Sequence, residues 1–337
     1  MTSPVFVVVG HVNRGLIAAG LANAESGRVL TRVDLYIYAF HMPVFFFVGG
    51  MFCQRLRSRP AAQGFASIVS SVVYPYFIWA TIQTLLMLAI GKYTNGKATM
   101  DDLWKISTSP PMQFWFLYVY GILALSYLAL SKIGSSRVGI AIAFVMLWLL
   151  GAYDALPWAR VLNWIQFYGL FFVVGDLSGD LVIKFFNRRP SRLPVALFAI
   201  LAFLLLGAIF FLPRLPSWGM SATCAFLGIA GTLSIGYVLA SDGLISVLRS
   251  CGIYSLEIYV LHTIVSAAVR IGLVHVCGVR SLPIHLTVGI LAGIVVPLVI
   301  AANARQYSYE WLFRLPVPGR MRNESTGNAA NTAGQSA

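Results

Sequence analysis

The chain has 337 residues, 58% of them hydrophobic and 10% charged, with a mean hydropathy of +0.80 and a formal net charge of +13. Soluble domains carry roughly 25% charged residues, so this chain lacks the charge to cover a water-facing surface. A soluble multi-domain enzyme, a disordered chain and a lone anchor on a globular head are excluded, because no long stretch has soluble composition.

A spanning helix takes roughly 20 apolar residues. The apolar runs predict ten, over 4–22, 36–53, 66–91, 113–131, 138–153, 162–183, 194–213, 218–240, 251–272 and 282–304. The expected fold is therefore all-α, a polytopic membrane helix bundle with short connections. An even number of spans puts both termini on one side. With the N-terminus inside, fourteen basic residues fall in inner segments and nine in outer ones. The tightest clusters, Arg55–Arg59 and Lys184–Arg192, are both inner, which predicts N-in and C-in. That topology, rather than nucleic acid, accounts for the basic excess. The first residues show no charged region or Ala-x-Ala site of a cleavable signal. Residues 1–322 are expected to form the transmembrane domain, and 323–337, rich in Asn, Ala, Gly, Ser and Thr, a disordered cytoplasmic tail. Cys53, Cys224, Cys251 and Cys277 lack metal-ligand spacing, and nothing in their spacing supports a Cys224–Cys277 bridge.

Ionisable groups at membrane depth are costly and are candidates for function. In the first span, His11 and Arg14 share a helix face three residues apart, with Asn13 beside them. Such a face lines a cavity or packs on polar neighbours. In the second span His41 precedes Pro43, which kinks the helix, and Gly49-Gly50, which allows close helix approach. His41 either faces the first span's histidine or only satisfies a carbonyl at the kink. The ninth span carries Glu257, read as the only acidic residue well inside any span, and His262 five positions on, on a different face. The pair either functions or anchors the helix in the bundle. Trp115, Tyr118 and Tyr120 opening the fourth span, and Tyr74-Pro75-Tyr76 in the third, read as aromatic belts. His275 and His285 read as solvated. Phosphate loops, GxSxG elbows, HExxH pairs and arginine ladders are absent from the sequence.

Several runs in order, Gly10-His11, FHMPVFFFVGGMF at 40–52, FWFLYVYG at 114–121 and YSLEIYVLH at 254–262, resemble the acyltransferase-3 family of integral membrane O-acyltransferases. The likeness is to the branch that includes fucose O-acetylase-like proteins. It implies transfer of an acyl group, usually acetyl from cytoplasmic acetyl-CoA, to a hydroxyl of a saccharide or glycolipid. It implies no metal, and a multi-pass protein of the bacterial cytoplasmic (inner) membrane. His11 matches the family's catalytic histidine. The family's arginine eleven residues before it would fall one position before Met1, so either the true start lies upstream or this chain has lost it.

The residues fit that chemistry on their own terms. Acyl transfer from a thioester needs a base for the acceptor hydroxyl, and imidazole near its ordinary pKa serves. His11 is expected to be that base or to carry the acyl group transiently. His41 and Arg14 would orient it or stabilise the oxyanion. Asn13, Glu257, His262, Trp115 and Tyr118 are candidates for positioning donor and acceptor. Arg55, Arg57 and Arg59 are candidates for the CoA phosphates, arginine being the better phosphate fork. A transporter for a sugar, lipid or proton-coupled solute, or an inactive family member, is the alternative.

Overall fold

The computed structural model describes residues 3–152, 160–211, 218–240, 245–304 and 306–315. The tail expected at 323–337 lies outside the described residues. All regular structure among the described residues is helical: α1 (Ser3–Ala18), α2 (Ala24–Met51), α3 (Gln54–Ser58), α4 (Ala61–Ile68), α5 (Tyr74–Ile90), α6 (Met100–Lys105), α7 (Trp115–Lys132), α8 (Arg137–Ala152), α9 (Arg160–Asn187), α10 (Arg192–Phe210), α11 (Trp218–Leu239), α12 (Ile245–Ile253), α13 (Ser255–His275) and α14 (Leu282–Ala304). Each of the ten predicted stretches contains helix among the described residues. Among the described residues seven are long and apolar enough to cross a membrane, and Pro4–Ala18 and Arg137–Gly151 are shorter apolar helices. The helix over the sixth stretch, α9, is continuous, but its apolar sequence is broken by Asp176 and Asp180.

The second helix begins twelve residues before its predicted start at 36. Its first turns are polar, so hydropathy does not reveal them, yet Asn23 caps them by accepting from the Ser26 amide at 2.8 Å. Arg28, Arg32 and Asp34 therefore lie within a helix rather than in an outer loop. The third stretch is not one continuous helix. Val69–Val73 form a π-helical turn between α4 and α5, and Pro75 sits just after it, where a missing amide proton is tolerated. Tyr76 corrects the aromatic-belt reading: it is buried, and its hydroxyl donates to the Ile106 carbonyl. The polar segment 92–112 carries α6, opened by a capping box between Thr99 and Asp102.

Close helix approach follows from glycine. A Cβ built on Gly50 would run into the Phe172 carbonyl of α9, and one on Gly175 into the Phe47 carbonyl of α2. Gly49 in turn receives the Tyr120 ring, so Tyr120 is packed inside the bundle. Around the α2–α9 crossing Phe40, Phe46, Phe47, Phe171 and Phe172 form the main core. The shorter α1 packs against α2 on one side and against α13 and α14 on the other, through Val8, Val12 and Leu16. On the outside, α10 exposes Leu193, Leu197, Leu201 and Leu204, a surface suited to acyl chains.

Candidate active site

The polar residues of α1, α2 and α13 converge where those helices meet. Phe6 packs on Phe40 at 5.4 Å between ring centres, while Gly10 and Arg14 lie against Asp34, so α1 and α2 run antiparallel. His11 is then about 12 Å along α1, His262 about 10 Å along α13 and His41 about 15 Å from the end of α2, at about 1.5 Å per residue. The His11 and His262 rings meet at one level, whereas the Phe6–Phe40 and Gly10–Asp34 contacts set His41 nearer the Phe6 level of α1.

Arg14 Nε donates to Asp34 Oδ2 at 2.7 Å, and its guanidinium lies 4.8 Å above the Tyr38 ring. Asp34 is buried, and its other oxygen, Oδ1, has no hydrogen-bond partner among the described residues. A Cβ on Gly10 would come within 2.9 Å of that oxygen; the glycine is what lets the carboxylate approach α1. A buried carboxylate held by a partly exposed guanidinium is costly at membrane depth unless it serves a site.

The ring contact of His11 is with His262, at 5.0 Å between centres and 64° between planes. Of the two readings open for His41, a partner for His11 or a ring that satisfies a carbonyl, the structure shows the carbonyl bond, and the His41 ring packs edge-on to Tyr38 at 5.2 Å. His41 and His262 are held alike. The Nδ1 of each meets the carbonyl one turn back, Ile37 at 2.8 Å and Ile258 at 2.9 Å. A carbonyl only accepts, so Nδ1 carries the proton and Nε2 of the neutral ring keeps its lone pair. The His262 Nε2 is buried with no partner among the described residues. It is a fixed, unused proton acceptor beside His11.

A second polar layer fixes α13. Gln113 Nε2 donates to Gln83 Oε1 at 2.7 Å and to Thr263 Oγ1 at 2.8 Å, and the Tyr259 hydroxyl donates to the Gln113 carbonyl. These bonds tie α13 to α5 and to the start of α7, on either side of His262. Asp34, Gln83 and Gln113 escaped sequence reasoning: Asp34 fell outside the predicted span, and isolated glutamines carry no motif.

The other predicted residues are distributed as follows. Asn13 is buried on α1. Trp115 is not a belt residue; it is buried among Tyr38, Phe46, Trp164 and Tyr168, and through Tyr38 it borders the junction. Tyr118 packs on Tyr76 and donates to the Ser107 carbonyl at 2.9 Å, away from the histidines. Glu257 occupies the first turn of α13 and is not the only acidic residue inside the helices, since Asp34 and Asp176 are buried within α2 and α9. Asp176 receives Arg137 at 3.2 Å and the Tyr127 hydroxyl at 3.0 Å, a structural lock between α7, α8 and α9. Arg57 donates to the Ser135 carbonyl at 2.9 Å and Arg59 to Ser67 at 3.2 Å, while Arg55 lies over the Phe52 ring. Lys132 Nζ bonds the Arg57 and Arg59 carbonyls, holding this basic segment against α7. His275 is exposed, but His285 is buried and bonded to the Val279 carbonyl, which corrects its reading as solvated. The four cysteines are free thiols. Among the described residues no three His, Cys, Asp or Glu side chains gather as a metal site.

A protein-family model described as an acyltransferase domain matches residues 3–302, from the start of α1 into the last turn of α14. The chain belongs to the acyltransferase-3 family and is a multi-pass membrane acyltransferase. The match is to the family as a whole and does not single out the fucose O-acetylase-like branch. No curated protein and no solved structure shows a significant match to the chain.

Proposed function

We propose that the chain is an O-acetyltransferase that moves acetyl from cytoplasmic acetyl-CoA to a hydroxyl of a saccharide or lipid-linked glycan, and that His11 is its general base. The observation that carries this reading is the contact of His11 with the buried His262, set beside the Arg14–Asp34 ion pair in a membrane acyltransferase. His11 takes the proton of the acceptor hydroxyl as its oxygen attacks the thioester carbonyl. The C–O bond forms, the carbonyl electrons move onto oxygen, and Arg14 stabilises that oxyanion. Collapse breaks the C–S bond, and the proton on His11 passes to the departing thiolate. His262 orients His11, its own tautomer fixed by the Ile258 carbonyl. His41 and Tyr38 hold Arg14 over the reacting centre, and Asn13, Glu257, Trp115 and Tyr118 help shape the approaches of donor and acceptor.

The ten helical stretches are read as ten spans, N-in and C-in, across a bacterial cytoplasmic membrane. In that orientation Arg55, Arg57 and Arg59 meet the CoA phosphates with the donors their protein contacts leave open. The thioester then reaches the histidines from the inner face and the acceptor from the outer one. Membranes holding the full chain are given acetyl-labelled CoA, and alkali-labile label is followed into the glycan and lipid fractions. Label in those esters supports the reading; solute flux without any ester would favour a transporter.

A further inference from the structure

We propose that the hairpin joining α9 and α10 is a binding site for one anionic phospholipid, its phosphate held by Lys184, Arg188, Arg189 and Arg192 and an acyl chain laid in the groove between α9, α10 and α11. Residues 184–192 form the second tight basic cluster of the sequence, and the transfer chemistry makes no use of it. From Leu181 to Ser241 the chain contains no Asp or Glu at all. The ion pairs among the described residues involve none of Lys184, Arg188 and Arg189. All four cations are exposed at the end of the bundle.

Directly beneath them lies a groove of about 660 Å³ lined by Leu181, Phe185, Pro194, Phe198, Ala230 and Leu233, among others. Leu181 is seven residues from Arg188, and Phe198 is six from Arg192, so the groove reaches about 9–10 Å into the apolar layer along both helices. The site is preformed. The Tyr237 hydroxyl of α11 donates to the Pro190 carbonyl at 2.8 Å, and its ring stacks on Phe186 at 5.0 Å. Arg189 takes a left-handed backbone, φ 51°, with its amide on the Phe186 carbonyl at 3.0 Å, which turns the chain sharply and keeps the cations together.

Two simpler explanations cover part of this arrangement. Cations complement the C-terminal end of a helix dipole, which suits Lys184 in the last turn of α9 and Arg188 and Arg189 just after it. Arg192, however, opens α10, where the dipole disfavours a cation. Topology accounts for inner charge but not for an apolar groove of ligand size below it. Charge at headgroup level above a chain-sized trough is what an anionic lipid complements.

The test is native mass spectrometry of the full chain in non-ionic detergent, offered equal amounts of dioleoyl phosphatidylglycerol and dioleoyl phosphatidylcholine. One phosphatidylglycerol should be retained, with a preference of roughly tenfold or more. Arg188→Gln with Arg189→Gln should bring that preference close to one. Ala230→Phe, which fills the groove and leaves the cations, should reduce retention of the lipid itself. Each variant is compared at matched thermal stability. Equal retention of both lipids by the native chain would overturn the proposal, as would undiminished preference in the double variant. Displacement of the lipid by glycerol 3-phosphate at equal concentration would also overturn it, since the groove would then contribute nothing.

Discussion

At the scale of single residues, the site depends on two imidazoles and on a glycine that lets a carboxylate near them. His262→Ala should lower acyl transfer by roughly 10²-fold while leaving donor KM nearly unchanged, because positioning of the base is lost and binding is not. Steady-state kinetics on detergent-purified protein checks the split; an unchanged kcat would remove His262 from the reaction. Gly10→Ala should displace Asp34 and with it Arg14, since the new methyl would meet Oδ1 at 2.9 Å. A loss of roughly tenfold or more in kcat, with normal protein yield, is the expected result. Much of this site was legible in the sequence. His11, Arg14 and His262 stand out because ionisable groups in apolar runs are expensive. What stayed hidden was the pairing. His41 and His262 carry equal weight as letters, and only the packing of α13 against α1 decides which of them meets His11. Asp34 was hidden for a different reason: Glu25, Ser26, Arg28, Thr31 and Arg32 make the segment before the apolar run look like a loop until the Asn23 cap is recognised.

Among the elements, the α2–α9 crossing holds the bundle together, and glycine makes it possible. Gly175→Leu would drive a side chain into the Phe47 backbone, which no rotamer change relieves. Such overpacking costs more than about 1–3 kcal/mol, so the variant should fail to yield monodisperse protein on size exclusion. Near the end of that crossing, Asp176 is buried against Arg137. Arg137→Ala leaves the carboxylate uncompensated and should destabilise by about 3–5 kcal/mol, read as a lowered thermal midpoint. Outside the membrane, the short α6 responds to pH. Hydrogen bonds from the Thr99 amide and hydroxyl hold the Asp102 carboxyl below the usual aspartate value. A lowered folded value means that the cap contributes fully above the ordinary aspartate range and is lost as pH falls through the depressed one. Amide exchange over Met100–Lys105 should rise at that acid edge in the native chain, and be raised at all pH values in Thr99→Ala. The apolar cores of the helices were readable from hydropathy, whereas ends set by caps, the π turn before Tyr74 and the polar first half of α2 were not, because they are decided by single hydrogen bonds.

For the whole molecule, low charge dictated a helical membrane bundle, and the family match places an acyltransferase domain along nearly all of it. The architecture gives the chemistry a setting: α2 runs antiparallel to α1, and α13 packs beside α1 so that His262 meets His11 within the bundle, where a fixed proton acceptor is most effective. Basic segments gather at one end of the bundle, around Arg55–Arg59 and around the α9–α10 hairpin. The central claim is that His11 is the base for transfer from acetyl-CoA to a hydroxyl. Its most direct test compares the native full chain with His11→Ala in the same membranes, following labelled acetyl from CoA into alkali-labile esters. The account predicts a fall of at least about 10²-fold in the initial rate, with CoA binding retained; ester formation by His11→Ala at the native rate would contradict it.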